Sequence, residues 1–358
     1  MLGIPARLGP VVRSGLLSPV GVARAGLDLV LPRTPVGDDA AVGQLIAARF
    51  GRQVADRLVE PLLGSIHAAP IADLSAAATA PQILATARRS RSLLRALRAG
   101  APGGSAAPAG PIFATPRRGT GAIVERLVEG LRDSGAAWHT DEVRRVAPHA
   151  AGVDVDGGHF DGVVLAVGAP AAARLLGEAA PAGLGAVEST TVVLVTMSFA
   201  AADLPVPEGV NGFLVPAGEG RLVTACSFGS NKWPHWADAG TTLLRVSTGR
   251  HGDDRASRLD DAALAERLAD EVTTALGRRA TPRQVRVSRW PGAFPYYRTG
   301  HVQRAAAIED ELATRSRRVS LAGSSYRGAG IPACIASGRR AARQLLGASS
   351  SGDSLSAR

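Results

Sequence analysis

A chain of 358 residues can bury a large core and leaves room for two or three domains. With 46% hydrophobic and 20% charged residues it reads as an ordinary soluble globular protein, which excludes a disordered or collagen-like chain, and at 4% aromatics the interior must be filled by aliphatic and alanine packing. The net charge of +10 is carried almost wholly by arginine, since Lys232 is the only lysine; it marks either a solvated, arginine-biased surface or attraction to a polycarboxylate or acidic lipid, and no lysine-rich tail or aromatic-interleaved basic run supports nucleic acid.

Cys226 and Cys334 stand far apart and neither belongs to a CxxC pair, which argues against a disulfide framework or zinc knuckle and for a reducing cytoplasm. No apolar run approaches the roughly 18 residues of a spanning helix, and Thr191 to Met197 is far too short, so a transmembrane segment is not expected; peripheral contact with a membrane stays open, as does the oligomeric state. The first 27 residues are basic and acid-free, as in a transit peptide, but Gly and Pro interrupt them and no secretory apolar core is present.

In chain order, residues 1–100 read as helical. Asp38 is placed to cap a helix through Val42, Leu45, Ile46 and Phe50; a second amphipathic run carries Val54, Leu58, Val59, Leu62 and Leu63; Ser75 caps a third through Ile83, Leu84 and Leu94, with Pro81 implying a kink or break. Ala101 to Pro111 reads as a mobile Gly/Pro/Ala linker. Ile123, Leu127, Val128 and Leu131 predict a helix. Short strands follow around Val143 and Val146, then Val153 and Val155, and the run Val163 to Val167 predicts a strand buried on both faces. Pro170 opens a helix, and residues 191–199, 212–216, 221–228 and 241–248 predict an antiparallel sheet. Asp260 caps a helix through Leu264, Leu268, Val272 and Leu276. A strand near Val285–Trp290, a helix near Val302–Leu312, a strand at Val319–Ala322 and a helix from about Gly330 follow, with a disordered polar tail from Ser349.

The chemistry-bearing segment is Val319-Ser-Leu-Ala-Gly-Ser-Ser-Tyr-Arg-Gly-Ala-Gly-Ile-Pro-Ala-Cys-Ile-Ala-Ser-Gly338: a strand, a glycine-rich turn and a helix that Pro332 can start. Gly328, Gly330 and Ala333 match GxGxxA spacing, a weak signal alone, because a full dinucleotide unit needs a second strand and an acidic residue about 20 positions later. The turn therefore reads as a helix N-terminus offered to a cofactor held mainly elsewhere, or as an ordinary strand–helix turn. Gly323-x-Ser325 fails as a nucleophile elbow because Arg327 occupies the final glycine position. The seven histidines show no HExxH or ligand pairing, His301 reads as structural rather than catalytic, and no carboxylate pair stands out for acid–base work. Chemistry done by a bound cofactor accounts for that lack, as does a non-enzyme.

Arg57-Leu-Val-Glu-Pro-Leu-Leu-Gly-Ser-Ile-His-Ala-Ala69, continued by Leu74 to Pro81, resembles the substrate-domain signature of bacterial protoporphyrinogen/coproporphyrinogen III oxidases. Trp290-Pro-Gly-Ala-Phe-Pro-Tyr-Tyr-Arg-Thr-Gly-His301 with Leu321 to Gly338 resembles the flavin region of the same FAD-dependent family. The resemblance covers nearly the whole chain. It implies an α/β (α+β), amine-oxidase-like fold: a partial FAD-binding Rossmann-like domain, a mixed-sheet substrate domain and a helical domain. The parts expected are 1–110 helical and linker, 111–185 and 291–348 FAD-binding, 186–290 sheet and helix of the substrate domain, and 349–358 tail. It also implies Val143 near the adenine on a returning strand, Trp290 at the flavin, and Gly330, Ile331, Pro332 and Ala333 at the helix N-terminus beside the ring.

The implied activity is oxidation of a porphyrinogen to the porphyrin in haem biosynthesis, six electrons in three steps through FAD to molecular oxygen, with peroxide formed and no catalytic side chain or metal. Coproporphyrinogen III is favoured over protoporphyrinogen IX as the water-soluble tetracarboxylate. A tetrapyrrole-binding remnant without redox chemistry, and a related FAD amine oxidase or desaturase, stay as alternatives. The family has Gln at Tyr296 and a Pro-Gly-Gly turn at Arg117-Arg118. Its opening strand–GxGxxG–helix unit is not found in these residues, and Met1 aligns within its substrate domain. The chain as written is therefore expected to be an N-terminally truncated form that binds FAD weakly and is marginally soluble.

Overall fold

The computed structural model describes Ile4, residues 8–99 and residues 114–352; the Ala101–Pro111 linker lies outside the described residues. Three hydrophobic clusters organise the rest.

The first is mainly helical, with Tyr296 and Tyr297, just past the last strand of the sheet, joining it. Helices α1 (Leu8–Ser14), α2 (Pro19–Gly26), α3 (Val42–Phe50), α4 (Pro81–Arg89) and α5 (Leu93–Ala99) surround Leu45, Ile46, Phe50, Val59, Leu74 and Leu94. Residues 17–25 of the basic opening segment pack into this core through Leu17 and Ala25. Asp38 is not the cap of α3. The helix begins after Ala41, and its first N–H groups, those of Val42 and Gly43, donate to the carbonyls of Leu74 (2.8 Å) and Ile71 (2.8 Å), so backbone replaces a side-chain cap and Asp38 pairs with Arg88 at the surface. Ser75 does cap, accepting from Ala78 N at 3.0 Å, and the chain breaks at Ala80, where Pro81 starts α4.

The run Ala55–Gly64 winds as a π-helix with Pro61 inside it. It faces the sheet described next. Glu60 pairs with Arg250 (3.0 Å), both largely buried, Glu60 Oε2 accepts from Ala217 N (3.2 Å), Ser65 Oγ donates to Thr224 O (3.2 Å), and His251 N donates to Ala68 O (2.8 Å).

The second cluster lies on a five-stranded antiparallel sheet. Its strands are β5 (Ser189–Ala200), β6 (Gly212–Leu214), β7 (Val223–Phe228), β8 (Thr241–Thr248) and β9 (Gln284–Pro295), in the order β6-β7-β8-β5-β9. Alternating Val193, Val195, Met197 and Phe199 of β5 are buried with Leu264, Leu268 and Val272 of the covering helix Asp261–Ala275, which Asp260 caps through Ala263 N at 2.8 Å.

The third cluster joins a small meander to a parallel pair. The helix α6 (Gly121–Asp133) leads to β1 (Val146–Pro148), β2 (Val153–Val155) and β3 (Gly158–Phe160), which pair antiparallel. β4 (Val163–Leu165) runs parallel to β10 (Val319–Leu321). β4 is followed by α7 (Ala169–Leu176), with Pro170 in its first turn, and β10 is preceded by α9 (His301–Arg315), with α8 denoting the sheet-covering helix Asp261–Ala275. Val163 to Val167 is not buried on both faces: Leu165 is buried, Val163 and Val164 half-buried, Val167 exposed, because β10 is the only strand beside β4 among the described residues. Nor does the tail start at Ser349, since the last helix, α10, runs Ile331–Gly352.

Candidate functional site

The parallel pair β4–β10 sends both strands into helices at the same end, the place where open α/β sheets hold ligands. Leu321 ends β10, and Ala322 N donates to Leu165 O (2.9 Å), fixing the two strand ends together. Gly323 then adopts φ 112° and Gly328 φ 132°, regions open to glycine at little cost; they bracket a helical turn, Ser324–Arg327.

This turn is tied to four elements. Gly323 N donates to Ser337 Oγ of α10 (3.1 Å), and Ala169 N at the start of α7 donates to Ser325 Oγ (3.0 Å). Tyr297 Oη, just past β9, donates to Ser324 O, and His301 Nε2 donates to Tyr326 O (3.0 Å). Arg327 pairs with Glu309 of α9, which also receives Arg340 at 3.5 Å. Burial lowers the His301 pKa, and because a carbonyl can only accept, Nε2 carries a proton in this contact. Burial pushes the Tyr297 phenol up, so it stays a donor.

On this frame α10 begins. Cys334 N donates to Gly330 O (3.0 Å), closing the first helical turn, and Gly330, Ile331 and Pro332 are exposed while Ala333 is half-buried. The N–H groups of the first turn have no carbonyl within their own helix, and the positive end of the helix dipole lies at this surface. The structure thus gathers Gly330, Ile331, Pro332 and Ala333 at one exposed helix start. Trp290 stands half-exposed on β9, opposite Val192, on a strand that packs beside Ser324–Arg327. Val143 is exposed too, but it is not on a strand. It lies in the extended segment before β1, where the N–H groups of Arg144 and Arg145 are held by the Asp156 carboxylate (3.0 and 2.8 Å).

Two positions carry more than their sequence showed. Asp39 accepts from Ala40 N (2.8 Å), Ala77 N (2.9 Å), Ser75 Oγ (2.6 Å) and Gly300 N (2.7 Å), pinning the helical layer to the start of α9. Burial alone would raise its pKa, and these four hydrogen bonds bring it below the usual carboxylate value. Tyr296, where the resembling family has Gln, is buried against the His251 ring (centroids 4.3 Å) and under Arg298, which pairs with Glu188 at 2.6 Å. Tyr296 stood out in the sequence only as a departure from the family's Gln, and Asp39 did not stand out at all.

An anionic ring edge is what an exposed, rigidly backed helix N-terminus can take, so the residues suit the ring portion of a flavin. For the pyrophosphate, the sequence contains no GxGxxG motif.

The fold and this turn define an amine-oxidase-like flavoprotein. Residues 5–346 match the flavin containing amine oxidoreductases, and the chain belongs to that family. It is 31% identical over 356 residues to the coproporphyrinogen III oxidase of Bacillus subtilis (strain 168), covering 97% of this chain and 76% of that one. It is 34% identical over 355 residues to the coproporphyrinogen III oxidase of Mycobacterium tuberculosis (strain H37Rv), covering 97% and 75%. Among solved structures, a candidate protoporphyrinogen oxidase from Exiguobacterium sp. 255-15 superposes with a TM-score of 0.79 at 28% identity, over 94% of this chain and 74% of that one.

Proposed function

We propose that this protein oxidises a porphyrinogen to the porphyrin with FAD as cofactor and molecular oxygen as final acceptor, in haem biosynthesis in the cytoplasm, and that coproporphyrinogen III is the preferred substrate. The observation that carries the reading is the exposed Gly330–Ala333 helix start at the end of β10, in a chain alike over 97% of its length to named coproporphyrinogen III oxidases.

Bound FAD supplies the two-electron acceptor for each of three oxidations. The chain's own residues supply position and field. Gly330, Ile331, Pro332 and Ala333, at the positive end of α10, would hold the ring edge and favour negative charge there. Trp290 would offer an apolar wall from β9, and Val143 would lie toward the adenosine. The frame of Tyr297, His301, Ser325 and Ser337 holds the helix start fixed, so no reorganisation is needed as charge develops. No side chain is assigned an acid or base role.

The preference follows from charge: a net +10 suits a tetracarboxylate over a dicarboxylate. The test is aerobic porphyrin fluorescence with coproporphyrinogen III and protoporphyrinogen IX at matched concentration and added FAD, with peroxide measured in parallel. The expected result is faster coproporphyrin formation with three peroxides per porphyrin. A flavin-bearing protein that turns over neither porphyrinogen above the autoxidation rate, or turns over protoporphyrinogen IX much faster, overturns the proposal or its substrate preference respectively.

A further inference from the structure

Away from the flavin turn, the β1–β2–β3 meander carries a cluster of a different chemistry. Asp154 and His159 are directly opposite each other in the β2–β3 register, so their side chains share one face. His149 follows β1, and its N–H donates to Gly152 O (2.9 Å), which places it beside Asp154 across the β1–β2 turn. His149 Nε2 and His159 Nδ1 both lie 3.2 Å from Asp154 Oδ1, and the three ligand atoms fall within 4.8 Å of one another. The two imidazole centroids are 5.3 Å apart.

We propose that His149, Asp154 and His159 form a binding site for a divalent transition-metal ion of the zinc class. Two imidazole nitrogens and a carboxylate oxygen are the donor set that zinc, cobalt and nickel share, and that magnesium and calcium disfavour. The spacing agrees. Ligands about 2.0–2.1 Å from a tetrahedral ion lie about 3.3 Å apart, against the 3.2 Å found from Asp154 Oδ1 to each histidine. To coordinate, each imidazole moves its proton to the other ring nitrogen, and the ion replaces the two N–H···O contacts. The side chains are 40%, 48% and 55% exposed for His149, Asp154 and His159, so an ion has access and water completes its shell.

The backbone is built around the cluster. Gly152 leaves the space that His159 fills, since a Cβ there would stand 2.3 Å from the imidazole Cε1 and 2.6 Å from Phe160 O. Asp156 is occupied by the Arg144 and Arg145 N–H groups and is no competing ligand. Asp141 and Glu142 line the same recess as Asp154, and Arg144 and Arg145 offset their charge. An ion at this site cross-links the end of β1, β2 and β3.

The test uses the untagged, chelator-treated full chain. Zinc is titrated calorimetrically and cobalt by its visible ligand-field bands, with thermal melting alongside. One ion per chain is expected, with a higher Tm in the presence of zinc. His149→Ala, His159→Ala and Asp154→Ala should each weaken binding by on the order of tenfold or more and abolish the Tm rise. His149 and His159 are exposed and Asp154 half-buried, and circular dichroism of each variant verifies its fold. Absence of saturable one-to-one binding, or equal affinity in the His149→Ala/His159→Ala double variant, overturns the site and leaves an ordinary hydrogen-bonded trio.

Discussion

Asp39 shows how much one loop carboxylate can hold. Its four hydrogen bonds join the Ala40 turn, the Ser75-capped helix and the Gly300 N–H that precedes α9. Asp39→Ala leaves those donors without their charged acceptor, and about 2–4 kcal/mol of stability should be lost, measured by urea unfolding. A loss below about 0.5 kcal/mol, the scale of a neutral surface substitution, would show the network to be dispensable. His67 adds a pH dependence. Burial holds its pKa down, from 6.5 to about 4, beside the Tyr297 ring. The unfolded chain therefore binds this proton at higher pH than the folded one, so the stability is present above pH 6.5 and is lost as the pH falls from there toward 4. The loss is at most about 3 kcal/mol. Tm should drop across that window and drop less in His67→Gln; an identical slope in the variant would locate the effect elsewhere. His67 was visible only as one residue of the Arg57–Ala69 signature and Asp39 not at all, because the groups that matter to them, Tyr297, Ser75, Ala77 and Gly300, lie far along the chain.

Elements were more legible than residues. Alternation in β5, β7 and β8, the Asp260 and Ser75 caps and the Pro81 break are local signals, and local physics decided them. The failures have one kind of cause, tertiary partners that override the local pattern. Leu74 and Ile71 carbonyls displaced the Asp38 cap, and among the described residues the run Val163–Val167 gained a strand neighbour on one side only. In the candidate site the Gly330–Ala333 helix start was readable, since Gly, Pro and the preceding apolar strand mark it. Its frame of Tyr297, Ser325 and Ser337 was not, because hydroxyl-to-backbone bonds leave no periodicity. The element also yields a prediction. Ile331 is 52% exposed, so Ile331→Asp should leave the fold intact while setting a carboxylate against the anionic ring edge. Flavin retention should fall, or the bound flavin should become harder to reduce, read by absorbance per protein and by potentiometric titration. If both are unchanged, the helix start does not face the ring.

At the scale of the whole molecule, apolar surface is unevenly distributed. The helical core and the antiparallel sheet each bury their own cluster, but α6 buries no residue, and Val124 (61%), Leu127 (57%) and Leu131 (49%) stand exposed along one side at i, i+3 and i+7. Trp138, Val143 and Val167 are exposed as well, and the parallel sheet has two strands, each with an edge that no other described strand pairs. Two-stranded sheets and an uncovered apolar helix face are marginal in water and prone to associate. The 358-residue chain should therefore self-associate in a concentration-dependent way and bind a hydrophobic dye. Leu127→Glu with Val124→Gln should lower the associated fraction several-fold without moving the main thermal transition, since neither side chain contributes to a core. Light scattering across a concentration series decides the point. A monodisperse monomer without dye binding would mean that α6 and the sheet edges are stable as they stand.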